Sequence, residues 1–362
     1  MSAPGLPYAL LAELTLRCPL GCPYCSNPVE LTRAGGELAT DEWKRVIDEA
    51  AALGVLQIHF SGGEPTVRRD LAALIGRASA AGLYANLITS AVLLDEARLA
   101  EFAAAGLKHV QISFQDAIAE SADRIAGFPG HDKKIKAARM VRAAGLALTA
   151  NLVVHRQNLD RLDALLALAV ELGARRIEVA NVQYHGWALK NRAALMPTRA
   201  QVERAGATVA AARERLKGIA VIDYVAPDYY ARRPKACLGG WARQFLTVTP
   251  AGLVLPCQAA QSIAGLQFES VRDRSLADIW ESSPAFARFR GTEWMAEPCR
   301  SCDRREIDWG GCRCQAFALA GDAAATDPAC ALSADHAAML AAAEVEAAAA
   351  PPDFVYRRYG AA

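Results

Sequence analysis

The residues best suited to chemistry in this chain are its ten cysteines, and they fall into two groups. Cys18, Cys22 and Cys25 lie in RCPLGCPYCSN at spacing C-x3-C-x2-C, with the aromatic Tyr24 just before the last of them. Three thiolates on one short loop can hold three irons of a [4Fe-4S] cube and leave the fourth iron without a protein ligand, where a small molecule can bind. A structural zinc site would close its tetrahedron with a fourth Cys or His. The next such residue after Cys25 is His59, inside an expected strand. By itself the loop leaves both the redox and the structural reading open. The second group begins only after residue 236: Cys237, Cys257, Cys299, Cys302, Cys312, Cys314 and Cys330.

The bulk properties narrow the classes. With 362 residues the chain can bury a large core and suggests one big domain with a smaller one. Hydrophobic residues make up 53% and charged residues 22%, the balance of a folded globular protein. A net charge of +1 argues against a surface built to neutralise nucleic-acid phosphates. No apolar stretch is long enough to span a bilayer, and the N-terminus lacks the positive flank and cleavage site of a signal peptide. A reducing cytoplasm is therefore expected, where thiols ligate metal more readily than they form disulfides.

The elements that must position the first cysteine loop are legible as alternating apolar runs and amphipathic stretches. Strands are expected at Ala9 to Thr15, Leu56 to Phe60, Tyr84 to Ile88, His109 to Ser113, Leu148 to Val154 and Arg176 to Val182. Helices are expected between them, such as Thr40 to Leu53 with the N-cap pair Thr40 and Asp41, and Asn158 to Leu172. Glycines such as Gly54 and Gly173 suit the left-handed residue that ends a helix. Six such units predict a parallel sheet with its site on the loops after the strands. They are too few for a closed eight-stranded barrel, so the expected fold is α/β, a partial (β/α)6 barrel open on one side.

Polar residues fall at the expected strand ends. They include Ser61-Gly62-Gly63-Glu64-Pro65, Thr89, Ser90, Ser113, Gln115, Asp116, Asn151 and the run Gln183 to Trp187 with His185. Each alone could merely satisfy a turn, whereas six ends sharing one mouth suggest a site. His59 and His109 are expected to be hydrogen-bonded core histidines. The Ala-rich segment Ala334 to Ala350 reads as a surface helix, and the tail Asp353 to Tyr359 carries no legible chemistry. The expected division is a barrel over 1–217, a bridging segment over 218–236, a cysteine-rich unit over 237–335, and a C-terminal helix and tail over 336–362.

Together the C-x3-C-x2-C loop with Tyr24, the GGEP sequence Gly62 to Pro65 and Ser113 resemble the radical S-adenosylmethionine (SAM) enzymes. The later cysteines resemble the SPASM extension of that superfamily: Cys237, fourteen residues, Gly252, four more, Cys257, then Cys299, Cys302, Cys312 and Cys330. Where that pattern has a further cysteine this chain has Asp308, and Cys314 is an extra thiol. The phrases LAELTLRCPLGCPYCSNP, HFSGGEP, NLITSA and QISFQD are similar to the radical SAM enzymes of pyrroloquinoline quinone (PQQ) biosynthesis, and the aspartate agrees with that subgroup.

That resemblance implies a [4Fe-4S] cluster on Cys18, Cys22 and Cys25 with SAM on its open iron. It implies backbone around Gly62, Gly63 and Glu64 at the amino end of SAM, and Ser113 and Asn151 near its ribose and adenine, with Tyr24 beside the cluster. It also implies two auxiliary iron-sulfur clusters, one on Cys237, Cys257, Cys312 and Cys314, the other on Cys299, Cys302, Asp308 and Cys330. Two fully ligated cubes need eight ligands and the extension offers seven cysteines, so one ligand is not a thiolate. The alternatives are a surface-exposed Asp308 with a three-coordinate cluster, or a zinc ribbon on Cys299, Cys302, Cys312 and Cys314.

The implied reaction is hydrogen abstraction by a 5'-deoxyadenosyl radical and a C-C bond between a glutamate and a tyrosine of a short precursor peptide. The implied partners are a small peptide-binding chaperone and a reductant such as flavodoxin. The competing readings are another SPASM peptide modifier, of the sulfatase-maturating or thioether-forming type, and a zinc-stabilised binding scaffold.

Overall fold

The computed structural model describes residues 5–29 and 36–357, so Tyr359 and the outermost residues of the first and last expected units lie outside it. Nine strands form one sheet: β1 Ala9–Thr15, β2 Gln57–Gly62, β3 Tyr84–Thr89, β4 His109–Phe114, β5 Ala147–Val154, β6 Arg176–Asn181, β7 Val221–Val225, β8 Phe245–Val248 and β9 Val254–Leu255. Their spatial order is β7-β6-β5-β4-β3-β2-β1-β8-β9. Neighbours from β1 to β7 are parallel. Strand β8 joins β1 in parallel and β9 returns antiparallel to β8. The outermost strands β7 and β9 do not pair with each other, so the barrel is partial and open, as expected.

Strand β1, ALLAELT, is buried along its whole length, as a strand covered on both faces must be. In β4 the alternation of HVQISF sends Val110, Ile112 and Phe114 into the helix-covered core and leaves Gln111 and Ser113 on the other face, toward the barrel mouth. The helix Thr40–Ala52 covers the sheet with Trp43, Val46, Ile47 and Ala50, a stripe at helical spacing. Its N-cap is Ala39, whose N–H is satisfied by Glu42 Oε2 at 2.7 Å. The expected cap Thr40 instead donates to Asp70 Oδ2 at 2.7 Å, linking two elements. Gly54 and Gly173 take φ of 91° and 75°, the left-handed conformation their positions require.

His59 and His109 are core histidines. His59 Nδ1 lies 2.7 Å from Asn86 Nδ2, and His109 Nε2 lies 2.7 Å from Thr149 Oγ1. Burial holds the His59 imidazole down at about 4.

Two departures concern the second half. Strand β7 lies in the segment read as a bridge, and β8 and β9 lie in the cysteine-rich range, yet all three extend the main sheet. Runs of five, four and two residues carry too little periodicity to identify, because strands this short are fixed by the partners they join. The C-terminal helix His336–Ala348 buries Met339, Ala343 and Ala347 against Tyr184, Leu195, Met196 and Tyr229, so one face of it is core.

Candidate functional site

The loop after β1 folds back on itself. Cys25 N–H donates to Cys22 C=O at 3.2 Å, and Gly21 N–H donates to Ala126 C=O at 2.9 Å. All three thiols border a cavity of about 380 Å³ at the C-terminal ends of the strands, and no further Cys or His lines it among the described residues. Burial, then the neighbouring Cys22, pushes the Cys18 thiol up to about 12, and burial also raises Cys22. Closely set, water-poor thiols are poor isolated thiolates, and iron that deprotonates them relieves that cost. The donor set therefore fits a cluster held by three sulfurs.

The cavity walls come from the other strand ends. Tyr24, Gly62, Gly63, Ser113 and Asn151 line it, as the sequence reading expects. Tyr24 Oη accepts from Gln115 Nε2 at 2.6 Å, and Gln115 Oε1 in turn accepts from the buried Lys134 ammonium at 2.5 Å. Asn151 and Asn181 border the cavity with side-chain oxygens that find no partner among the described residues. Buried acceptors of this kind suit the donor groups of a bound nucleotide.

Two expectations change in detail. Glu64 is fully buried and does not line the cavity. Its carboxylate accepts from Thr66 N at 3.1 Å, Thr66 Oγ1 at 2.6 Å, Thr89 Oγ1 at 2.6 Å, Ser90 N at 2.8 Å and Ser90 Oγ at 2.5 Å, fastening the end of β3 to the loop after β2. The paired glycines are required first by the protein itself. A Cβ on Gly62 would lie 2.3 Å from Thr15 O, and one on Gly63 would lie 2.4 Å from Arg17 O.

The later cysteines gather in two places. Cys237, Cys257, Cys312 and Cys314 form one hydrogen-bonded group of sulfurs. Hydrogen bonds from Cys237 and Cys314 hold the Cys257 and Cys312 thiols well below their ordinary range. Asp327 orders the approach to this group, its Oδ2 accepting from Cys312 N at 2.6 Å and its Oδ1 from Gln315 Nε2 at 2.9 Å.

Cys299, Cys302, Asp308 and Cys330 line a separate small cavity. Asp308 is 8% exposed, so it is not a surface carboxylate. A tight turn through Trp309, Gly310 and Gly311, all at positive φ, separates it from Cys312. No disulfide joins any of the ten cysteines. Cys312 and Cys314 group with Cys237 and Cys257 while Cys299 and Cys302 line the separate cavity, which counts against a zinc ribbon made from Cys299, Cys302, Cys312 and Cys314.

With this geometry, residues 12–169 match the Radical SAM superfamily, and residues 237–303 match the SPASM iron-sulfur cluster-binding domain. The PqqA peptide cyclase of Granulibacter bethesdensis is 62% identical over 99% of this chain and 96% of that protein. The PqqA peptide cyclase of Rhodopseudomonas palustris is 63% identical over 98% and 95%. The chain belongs to the PqqA peptide cyclase family.

Solved structures agree on the fold. Streptococcus suis SuiB bound to S-adenosylmethionine superposes with a TM-score of 0.72 at 20% identity, covering 87% of this chain and 75% of that one. Native anSMEcpe with bound AdoMet gives 0.63 at 16%, covering 94% and 95%. As a radical SAM enzyme with a SPASM domain, this PqqA peptide cyclase family member uses a [4Fe-4S] cluster, SAM and auxiliary iron-sulfur clusters.

Sequence reasoning missed several wall residues of the cyclase cavity. Gln111 Nε2 donates to Glu178 Oε2 at 3.2 Å, and both line the cavity from the middle of their strands. Burial, then the charge of Asp223, raises the Glu178 carboxyl. Gln258, beside Cys257, donates to the buried Glu13 Oε1 at 2.8 Å, and burial lifts Glu13 to about 7. Glu13, Gln111 and Glu178 could have been signalled by their neighbours, since each is a polar residue with an apolar residue on either side of it in its strand.

His185 sits on Cys312. Burial would depress its imidazole, but the hydrogen bond and charge of the Cys312 sulfur outweigh burial and raise it. Arg357, in the tail that carried no legible chemistry, also lines the cavity.

Proposed function

We propose that the chain joins a glutamate and a tyrosine side chain of one precursor peptide by a C-C bond. What supports this reading is a mouth of three thiols on a cavity that also presents polar strand-end side chains, in a chain that belongs to a family of peptide cyclases. When bound, the cluster and SAM supply a 5'-deoxyadenosyl radical. The peptide loses two hydrogens in all, one as an atom and one as a proton and an electron, and auxiliary centres held by the later cysteines would supply the acceptor for that electron.

Cys18, Cys22 and Cys25 would hold three irons. The backbone of Gly62 and Gly63, with Ser113 and the unpartnered oxygen of Asn151, would hold and orient the nucleotide, while Tyr24, braced by Gln115, closes the wall beside the cluster. A partly enclosed barrel mouth also keeps water from a radical. Cys237, Cys257, Cys312 and Cys314 would hold one auxiliary cluster, and Cys299, Cys302, Asp308 and Cys330 the other. The division into a barrel over 1–217 and an auxiliary-cluster unit over 237–335 goes with this reading, the sheet running across the boundary. A small peptide-binding chaperone and a flavodoxin-like reductant complete the system. A reducing cytoplasm suits ten unpaired thiols.

The test is incubation with reductant, SAM, candidate peptide and chaperone, followed by the peptide mass. Loss of two hydrogens with consumption of SAM is expected. Replacing Cys18, Cys22 and Cys25 together by Ala should abolish SAM cleavage while the auxiliary iron stays bound. Intact SAM after reduction of the reconstituted wild-type protein would overturn the reading.

A further inference from the structure

We infer that the C-terminal tail is a clasp on the cysteine loop, and that Arg357 is a positioning residue that holds Cys25 and raises the potential of the cluster there. The inference rests on the reading that Cys25 is a cluster ligand.

The tail is led to the loop by a series of anchors. Arg192 pairs with Glu346 at 2.5 Å, and the Arg156 guanidinium donates to Ala347 O at 2.9 Å and Ala349 O at 3.1 Å, fixing the end of the helix His336–Ala348. Phe354 then meets the His155 ring edge-on at 6.1 Å, and His155 lies 6.2 Å from the Tyr24 ring. Asn191 binds tail and loop together. Its Nδ2 donates to Val355 O at 2.9 Å and to Pro23 O at 3.2 Å, and its Oδ1 accepts from Val355 N at 2.7 Å. Tyr356 Oη donates to Arg124 O at 2.7 Å.

Arg357 completes the series. Its backbone N–H donates to Gly21 O at 3.0 Å, and its guanidinium donates to Leu16 O and, at 3.6 Å, to Cys25 Sγ. One residue therefore touches the loop at its start, its middle and its last cysteine, from a position that lines the cavity and is 6% exposed. The planar guanidinium can serve a carbonyl and a sulfur at once, which the single point charge of a lysine does less well. A cationic donor on a thiolate ligand favours the more negative, reduced form of a cluster and so raises its potential. A purely structural strap would hold the loop without moving that potential.

The deciding measurement is an EPR-monitored redox titration of the reconstituted holoenzyme, with SAM cleavage assayed in parallel. Arg357→Gln should move the loop cluster to a more negative midpoint potential and leave the auxiliary clusters where they are. Arg357→Lys should fall between Gln and wild type. Asn191→Ala, which frees the tail without touching its cation, should shift the same cluster in the same direction by less. Should Arg357→Gln fail to assemble the cluster, the Lys and Ala variants decide by the same criterion. Variants that assemble the cluster at an unchanged potential overturn the clasp and leave the functional reading standing. A wild-type loop that binds no cluster overturns that reading instead.

Discussion

Single residues show how completely some positions are committed. Glu64 spends its carboxylate on hydrogen bonds from Thr66, Thr89 and Ser90 while fully buried. Glu64→Gln would turn an amide N–H₂ toward groups that already donate, and one buried donor left unmet costs about 1–3 kcal/mol. The expected outcome is a folded variant less stable by about 2 kcal/mol, read from its urea midpoint, with weakened SAM binding because the end of β3 is freed.

His155 gives a pH dependence. Burial holds its imidazole at about 3, against 6.5 as the ordinary value. The unfolded chain therefore binds a proton below pH 6.5 that the folded chain refuses until about 3, so this site's stability is complete above 6.5 and declines as the pH falls toward 3. Between pH 7.5 and 5.5 the loss is ~1.4 kcal/mol. His155→Phe should lose less unfolding free energy, read by urea titration, between pH 7.5 and 5.5 than wild type, by about that amount. Equal drops in the two proteins would contradict it.

At the scale of elements, the site is a contact between the loop after β2 and the end of β1. Gly62 has φ of 118°, and a Cβ there would lie 2.3 Å from Thr15 O. Gly62→Ala must push these two segments apart, moving the cysteine loop relative to Ser113 and Asn151 on the neighbouring strands. The expected result is at least a tenfold rise in the Kd for SAM, about 1.4 kcal/mol, with iron content retained. Unchanged SAM affinity would show that the loop absorbs the shift.

The tight turn at Gly311 is a second case, since a Cβ there would lie 2.3 Å from Asp327 Oδ2, the atom that also receives Cys312 N–H. The same elements show what periodicity conveys. Strands β1 to β6 were legible because each carries six to eight residues of clear apolar pattern. Strands β7 to β9 were not, because their shorter runs are decided by the strand they join.

For the whole molecule, β8 and β9 tie the cysteine-rich half to the barrel through β1, the strand that leads into the cysteine loop. In that half the buried Asp308 and Cys330 share a small cavity with the half-buried Cys299 and Cys302. As a cluster ligand, the Asp308 oxygen would set a different potential from a thiolate. Asp308→Cys should keep iron bound and change turnover of the peptide, and identical kinetics would remove the tuning role.

The sequence by itself determined the chemistry: cysteine spacing, the GGEP turn and the six-unit alternation are local properties of the chain, and local spacing suffices to bring three thiols onto one loop. Only the tertiary structure decided which distant groups surround that loop. It turned Glu64 inward as a brace and faced Glu13, Gln111 and Glu178 toward or beside the cavity. It also carried Arg357, more than three hundred residues along, onto Cys25. Such contacts depend on how the sheet curls and where a terminal helix docks, and no spacing along the chain encodes a distance across the fold.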